Sequence, residues 1–429
     1  MSATSHTPLH QLSAWQAAAL LASRELKAVD LVRACLARID EREPKLHAFV
    51  QLAADAALAH ARRLDAGPVR GLLHGLPFGV KDLFDTFDLP TGYGSPIYAG
   101  QRPLADAAAV ALCREAGAVL LGKTVTTELA NMFPGLTRNP HNTDHTPGGS
   151  SSGSAAAVAD FMLALALGTQ TAGSLIRPAA FCGVVGYKPS HNRVPKAGVK
   201  SLSETLDTVG GFARSVEDVA LLGAVLTGDH RLADPANFTS DAVPRIGFCQ
   251  TPDWAQADED TQAAWTQAQA ALPSRALTLP PGLDQLVAVQ KAVQAHETAR
   301  SLSHERLHHA SQLSAPLMAL IQDGRAISGE THATHRQQVM QARQQAAGLF
   351  GDCDVILAPS TLGEAPAGLD GTGDPLFCRG WTLLGLPCVH LPFATGRNGL
   401  PVGLQLVGAF GDDHRLMAAA HWVHRRLTS

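Results

Sequence analysis

Pro147-Gly148-Gly149-Ser150-Ser151-Ser152-Gly153-Ser154 opens a stretch that closes on Gly168-Thr169-Gln170-Thr171-Ala172-Gly173-Ser174. Two turns rich in glycine and hydroxyl side chains flank one apolar segment. Glycine lacks a Cβ and tolerates positive φ, so such turns let backbone N–H groups come close to a reacting atom. Residues 155–167 are almost all small or aliphatic, with Asp160 the only charge. That pattern predicts a buried helix holding one turn fixed against the other.

A serine hydroxyl is a weak nucleophile at neutral pH and needs a base. No histidine falls in this stretch, but Gly75-Leu76-Pro77-Phe78-Gly79-Val80-Lys81-Asp82 upstream places a lysine at the end of a short apolar run. Desolvation there disfavours the ammonium and lowers its pKa, so Lys81 is a candidate base.

These segments resemble the amidase signature family, whose members hydrolyse amides with a nucleophilic serine, a second serine in a cis peptide, and a lysine. Matched residue by residue, the lysine falls on Lys81, the cis serine on Ser150 and the nucleophile on Ser174, with the family's spacing between the two serines. The likeness extends to Thr137-Arg138-Asn139-Pro140, to Ala180-Phe181-Cys182-Gly183-Val184-Val185-Gly186 and to Leu400-Pro401-Val402-Gly403-Leu404-Gln405-Leu406. It implies an α/β fold in which a large mixed β-sheet is sandwiched between α-helices. It also implies a backbone oxyanion site at Thr171, Ala172 and Gly173, and a pocket for a small-molecule amide. Met132 and Phe133, in a region that lines the acyl side of the pocket in the family, are substrate-binding candidates, and Ser151 joins them. No cofactor and no metal are implied. Many members form homodimers, which nothing in this sequence demands.

Where the family usually reads G-T-D-T-G-G-S-I-R-x-P, this chain has Gln170 for the aspartate, Ala172 for a glycine, and Arg177 one place late. On an extended segment a one-residue shift turns a side chain to the opposite face. No substrate-binding role is therefore carried over to Arg177.

The remaining sequence frames this centre. With 45% hydrophobic and 17% charged residues, the 429-residue chain can build a large core. A net charge of −4 offers no basic face for a nucleic acid. Residues 14–22 are too short to cross a bilayer and no later segment qualifies, so no membrane partner is expected. Seven cysteines without C-x-x-C spacing argue against a disulfide framework and for a reducing, cytoplasmic setting. No linker divides the chain, so one domain over residues 1–429 is expected. Its parts are N-terminal helices over about 8–65 with Asp30 as an N-cap, a catalytic core over 66–227, a variable helical entrance region over 228–350, and closing strands and a helix over 351–429. Apolar runs at 76–83, 119–122, 355–359, 388–391 and 402–407 predict strands.

Three motifs compete with this reading. Lys123 follows another apolar run and is expected to be an exposed lysine at the sheet edge. Gly149-Ser150-Ser151-Ser152-Gly153 satisfies the G-x-S-x-G of a nucleophile elbow, but polar, turn-like residues precede it where an elbow requires a strand. His304-Glu305-Arg306-Leu307-His308 satisfies H-E-x-x-H, with Glu330 available as a third ligand, and would make a zinc peptidase. A further alternative keeps the fold: the A subunit of a glutamyl-tRNA amidotransferase, releasing ammonia from glutamine.

Overall fold

The computed structural model of the protein describes residues 7–283 and 285–429. Its apolar runs come together as one mixed sheet of eleven strands. In chain order these are β1 (Phe49–Leu52), β2 (Pro77–Lys81), β3 (Val119–Thr124), β4 (Leu165–Gln170), β5 (Val185–Lys188) and β6 (Thr208–Ala213). They continue with β7 (Ile246–Phe248), β8 (Ser274–Ala276), β9 (Val355–Pro359), β10 (Cys388–Thr395) and β11 (Pro401–Gly408). Across the sheet the order is β1-β3-β2-β4-β6-β5-β10-β11-β9-β7-β8. Strand β2 runs parallel to both β3 and β4, which aligns the ends of these three strands at Lys81, Thr124 and Gln170. Helices sandwich the sheet in an α/β/α arrangement. Among the described residues no helix is long and apolar enough to cross a membrane.

Every residue of β2, β3, β4 and β6 is buried. Strands covered on both faces read as continuous apolar runs, which made β2, β3 and β9 legible, whereas β4 begins inside the run expected to be helical and β6 was not expected as a strand.

Residues 155–167 are not one helix. The chain forms the helix Ser152–Ala159, turns, and enters β4. Periodicity cannot separate a buried helix from a buried strand in so uniform a run. The turn is set by its one charge: the nearly buried Asp160 carboxylate receives Arg38 and, at 2.7 Å, Arg42 from the long helix Ala28–Leu46. Gly153 lets the helix begin against backbone, because a Cβ there would stand 2.2 Å from Ala48 O and 2.4 Å from Val125 N.

Other expectations are corrected by the fold. Asp30 lies in the first turn of the helix Ala28–Leu46, whose N-cap is Lys27. The N-terminal region also contributes β1, which pairs antiparallel with β3. Lys123 is fully buried inside β3, paired with Asp82 at 3.0 Å and bonded to Phe84 O and Thr91 Oγ1. A local run of sequence gave no sign of an acid at the end of the neighbouring strand. All seven cysteines are buried free thiols.

Replacing Asp160 by alanine leaves Arg42 without a carboxylate partner among the described residues, and Arg38 with Glu41 alone, beside the turn into β4. The expected cost is about 3 kcal/mol, read as a lowered thermal midpoint, with the double variant Arg38→Leu/Asp160→Leu losing less than the single change.

Candidate active site

Lys81 is the last residue of β2 and is fully buried. Its Nζ lies 2.7 Å from Ser150 Oγ and 2.8 Å from Thr169 Oγ1, and among the described residues no carboxylate reaches ion-pair distance of it. Burial brings its pKa down from 10.5 to about 7, against a smaller upward pull from Asp207. An amine in that range is available unprotonated at neutral pH, which is what a general base requires.

The sequence reading missed Thr169 and Asp207. Thr169 sits on β4, one strand from Lys81, and its place after Gly168 in the second turn was the only available signal. Asp207 accepts from Thr171 Oγ1 at 2.6 Å, from Ser201 Oγ at 2.9 Å, and from the N–H groups of Leu202 and Ser203. It therefore braces the second turn while placing negative charge near Lys81.

The Gly149–Ser150 peptide bond is cis, as the resemblance implied. The other serines of the first turn are consumed by backbone. Ser151 is fully buried, donating to Thr169 O and accepting from Thr169 N–H, each at 3.3 Å. It clasps β4 and is not on the cavity wall, so the structure does not place it as a substrate contact. Ser154 Oγ donates to Leu167 O at 2.8 Å.

Ser174 opens on a cavity of about 500 Å³, whose walls include Thr171, Ala172, Met132 and Arg177. Phe133 is half exposed and lies outside that lining. The carbonyls of the second turn all point to fixed partners: Thr171 O accepts from Gln290 Nε2 at 3.0 Å, Ala172 O from Thr382 Oγ1 at 2.7 Å, and Gly173 O from Arg177 N–H at 2.8 Å. Among the described residues nothing accepts from the N–H groups of Ala172, Gly173 and Ser174. Gly173 is required here, since a Cβ would stand 2.6 Å from Pro375 Cβ. Ser174 Oγ has no hydrogen-bond partner among the described residues; such contacts commonly tighten only when substrate binds.

Gln170 explains itself. Its Oε1 accepts from Leu175 N–H and Ile176 N–H at 2.8 and 3.0 Å, and its Nε2 donates to Thr382 Oγ1 at 2.9 Å. An ionised carboxylate accepts but cannot donate, so this bridge needs the amide. Arg177 lies in the helix Ile176–Cys182, and the face-switching expected of an extended segment does not apply. Its guanidinium donates to Gly149 O and Gly373 O, both at 2.7 Å, tying the first turn to the loop at 372–373.

The H-E-x-x-H segment forms the short helix Ser303–His308, with the two imidazole centroids 5.0 Å apart. Its glutamate does not join them: Glu305 is buried against Tyr98 and Lys200. His304, His308 and Glu330 are exposed.

A buried lysine held by serine, beside a turn with free N–H groups, is an arrangement that can support acyl transfer. Residues 30–417 match the family model for Amidase. Over 96% of both chains the protein is 33% identical to the A component of the glutamyl-tRNA(Gln) amidotransferase of Oleidesulfovibrio alaskensis. It is 32% identical to the putative amidase AmiD of Mycobacterium bovis, over 96% of this chain and 94% of that one. The structure superposes on the peptide amidase of Stenotrophomonas maltophilia with a TM-score of 0.83 at 28% identity, covering 98% of each chain. The chain belongs to the amidase signature family of amidohydrolases.

A base that must be neutral gives a rate that rises with pH through its pKa. The kcat/KM profile is expected to rise through about pH 7. Because Asp207 pulls the Lys81 pKa upward, Asp207→Asn should move that limb to lower pH, measured by initial rates between pH 5 and 9.

Proposed function

We propose that the protein hydrolyses the C–N bond of a small carboxamide through an acyl-enzyme. The observation that carries this reading is the buried Lys81 amine in contact with Ser150 at 2.7 Å and with Thr169 at 2.8 Å, on the strand that leads into the turn of Ser174, a residue of the cavity wall. Lys81 Nζ accepts the Ser150 hydroxyl proton while Ser150 Oγ takes the proton of Ser174. The Ser174 Oγ–carbon bond then forms and the carbonyl oxygen gains negative charge. The N–H groups of Thr171, Ala172, Gly173 and Ser174 are the donors to that oxyanion, one such donor being worth about 3–4 kcal/mol. As the C–N bond breaks, the proton returns through Ser150 to the leaving nitrogen, and the amine departs. Water repeats the sequence on the acyl-enzyme, the acid is released, and Ser174 recovers its proton. Carbamates and esters fit the same chemistry.

The similarity to the A components of glutamyl-tRNA(Gln) amidotransferases supports a second reading, in which glutamine is hydrolysed within a heteromeric complex. Its signature is glutamine turnover that needs a co-purified partner.

With a panel of amides, carbamates, esters and glutamine, Ser174→Ala and Lys81→Ala are each expected to reduce turnover at least about ten-thousand-fold. His304→Ala and chelator leave it intact, and hydroxylamine diverts the acyl group to a hydroxamate. Turnover that survives Ser174→Ala but is lost with chelator overturns the proposal in favour of zinc chemistry.

A further inference from the structure

A second cavity, of about 420 Å³, opens where four helices meet, and Ser174 takes no part in its wall. Arg300 stands in the last turn of the helix Leu286–Ser301, Arg306 in that of Ser303–His308, and Arg325 in that of Ala315–Ala326. All three line the cavity, with Ser303, His296 and Gly329, and among the described residues no carboxylate does. Gly324 lets the first and third of these helices cross closely, since a Cβ there would overlap Ala295 O.

Among the described residues none of the three guanidiniums has an ion pair or a side-chain hydrogen bond. Elsewhere on the surface acids take up such charges, as Asp354 does for Arg245 and Asp260 for Arg397. Here the nearby acids are engaged in other directions. Glu297 accepts from Ser203 and Thr205 and faces His332 and Arg336. Glu305 is held by Tyr98 and Lys200. Asp323 lines the cavity at Ser174, and Glu330 is exposed in the first turn of the helix Gly329–Ala346. A helix C-terminus favours a cation by about 0.3–1 kcal/mol, which seats each arginine singly but does not offset the repulsion among them.

The fourth helix brings its opposite end to the same place. Gly329 begins the helix Gly329–Ala346, and the N–H groups of Gly329 and Glu330 meet no acceptor among the described residues. Nothing lies within 4 Å of the position a Gly329 Cβ would take. Open N–H groups at a helix start and guanidinium forks are the two devices best suited to phosphate. One fork satisfies a carboxylate, whereas a phosphate monoester carries nearly two charges on three terminal oxygens and so matches donors arriving from several helices. The volume is that of a small-molecule site rather than of a bare ion.

We propose that this cavity binds the phosphate of a phosphorylated small molecule, held by Arg300, Arg306 and Arg325 with the N–H groups of Gly329 and Glu330. Ser174 and the second turn lie outside it, so the molecule bound there is not the amide undergoing cleavage. Ile327 lines both cavities, and the helix Leu286–Ser301 carries both Arg300 and Gln290, which grips Thr171 O. An occupant is thereby attached to a helix that holds the reacting turn.

Calorimetry on the full chain at about 0.15 M salt tests the site. Adenosine monophosphate and glycerol phosphate are the probes, against adenosine, glycerol, inorganic phosphate and sulfate. At least one ester is expected to bind about tenfold or more tightly than inorganic phosphate and than its phosphate-free counterpart. Arg300→Gln/Arg325→Gln, at two exposed positions, should weaken that binding about 100-fold, while Arg300→Lys/Arg325→Lys keeps part of it. The thermal midpoint of the unliganded variants checks that they are folded, and the single changes give the same comparison should the pair lower it. Lys291→Gln, in the wall of the cavity at Ser174, should leave ester binding in place. Binding of neither ester overturns the site, as does ester binding that the arginine changes leave untouched or that Lys291→Gln abolishes. Inorganic phosphate or sulfate binding as tightly as both esters overturns the organic ligand in favour of a bare anion. No readout depends on turnover, so failure here leaves amide hydrolysis standing.

Discussion

A lysine amine buried in the sheet core, beyond ion-pair reach of any carboxylate among the described residues, is the constraint on which the rest of the site depends. The contrast with Lys123, on the next strand, shows what decides its character. Both side chains are fully buried and both pKa values are drawn down by burial. Lys123 lies 3.0 Å from the Asp82 carboxylate, whose charge opposes the downward shift, and serves as one half of a buried ion pair. Lys81 has, among the described residues, two hydroxyls within hydrogen-bond reach and no acid. Hydroxyls satisfy the hydrogen-bonding needs of a neutral amine as well as those of an ammonium, so nothing there compels the proton to stay. The same residue type in the same sheet becomes a strut, or is left able to serve as the base proposed above, according to whether an acid faces it.

The two turns around that amine are held by making every neighbouring hydroxyl do a different task. Ser150 faces Lys81, Ser151 clasps the backbone of Thr169, Ser152 reaches Val125 O, and Ser154 ties the helix to Leu167 O. A turn full of serines is thus mostly a backbone-satisfying device, since buried carbonyl and N–H groups left unpaired are costly. The second turn is pinned from the other direction, through its carbonyls, which leaves its N–H groups free. Preorganised donors of this kind need no rearrangement when charge develops on a substrate oxygen.

What was legible in the sequence was what is local. The strands β2, β3, β9, β10 and β11 announced themselves as apolar runs, while the equally buried β5 and β6 did not, and the segments carrying Lys81, Ser150 and Ser174 carried the family resemblance. The uniform run at 155–167 was misread because helix and buried strand look alike without polar punctuation. The three-residue strands β7 and β8 are too short to leave a pattern. Lys123 was misjudged because it is defined by a partner brought alongside by the fold, Asp82 across a strand pair, and the segment of Arg177 was taken as extended where it is helical. Thr169 and Asp207 were missed for the first of these reasons. The H-E-x-x-H segment is the converse case, in which a local pattern is satisfied while the fold directs its glutamate to Tyr98 and Lys200.

The chemistry and the selection of what undergoes it rest on different parts of the chain. Lys81, Ser150 and Thr169 are carried by β2, by the turn leading into the helix Ser152–Ala159, and by β4, all inside the sheet core. The cavity walls come largely from the helices Leu286–Ser301, Ala315–Ala326 and Leu376–Leu384. The two parts meet at a few hydrogen bonds, Gln290 to Thr171 and Thr382 to Ala172 and Gln170. Those that grip the turn do so at main-chain carbonyls, so the side chains between them on the cavity helices are free to vary without moving the N–H groups next to Ser174. A scaffold joined in this way can exchange one cavity-lining side chain for another and alter which amide is admitted, while the lysine, the serines and the turn keep their geometry.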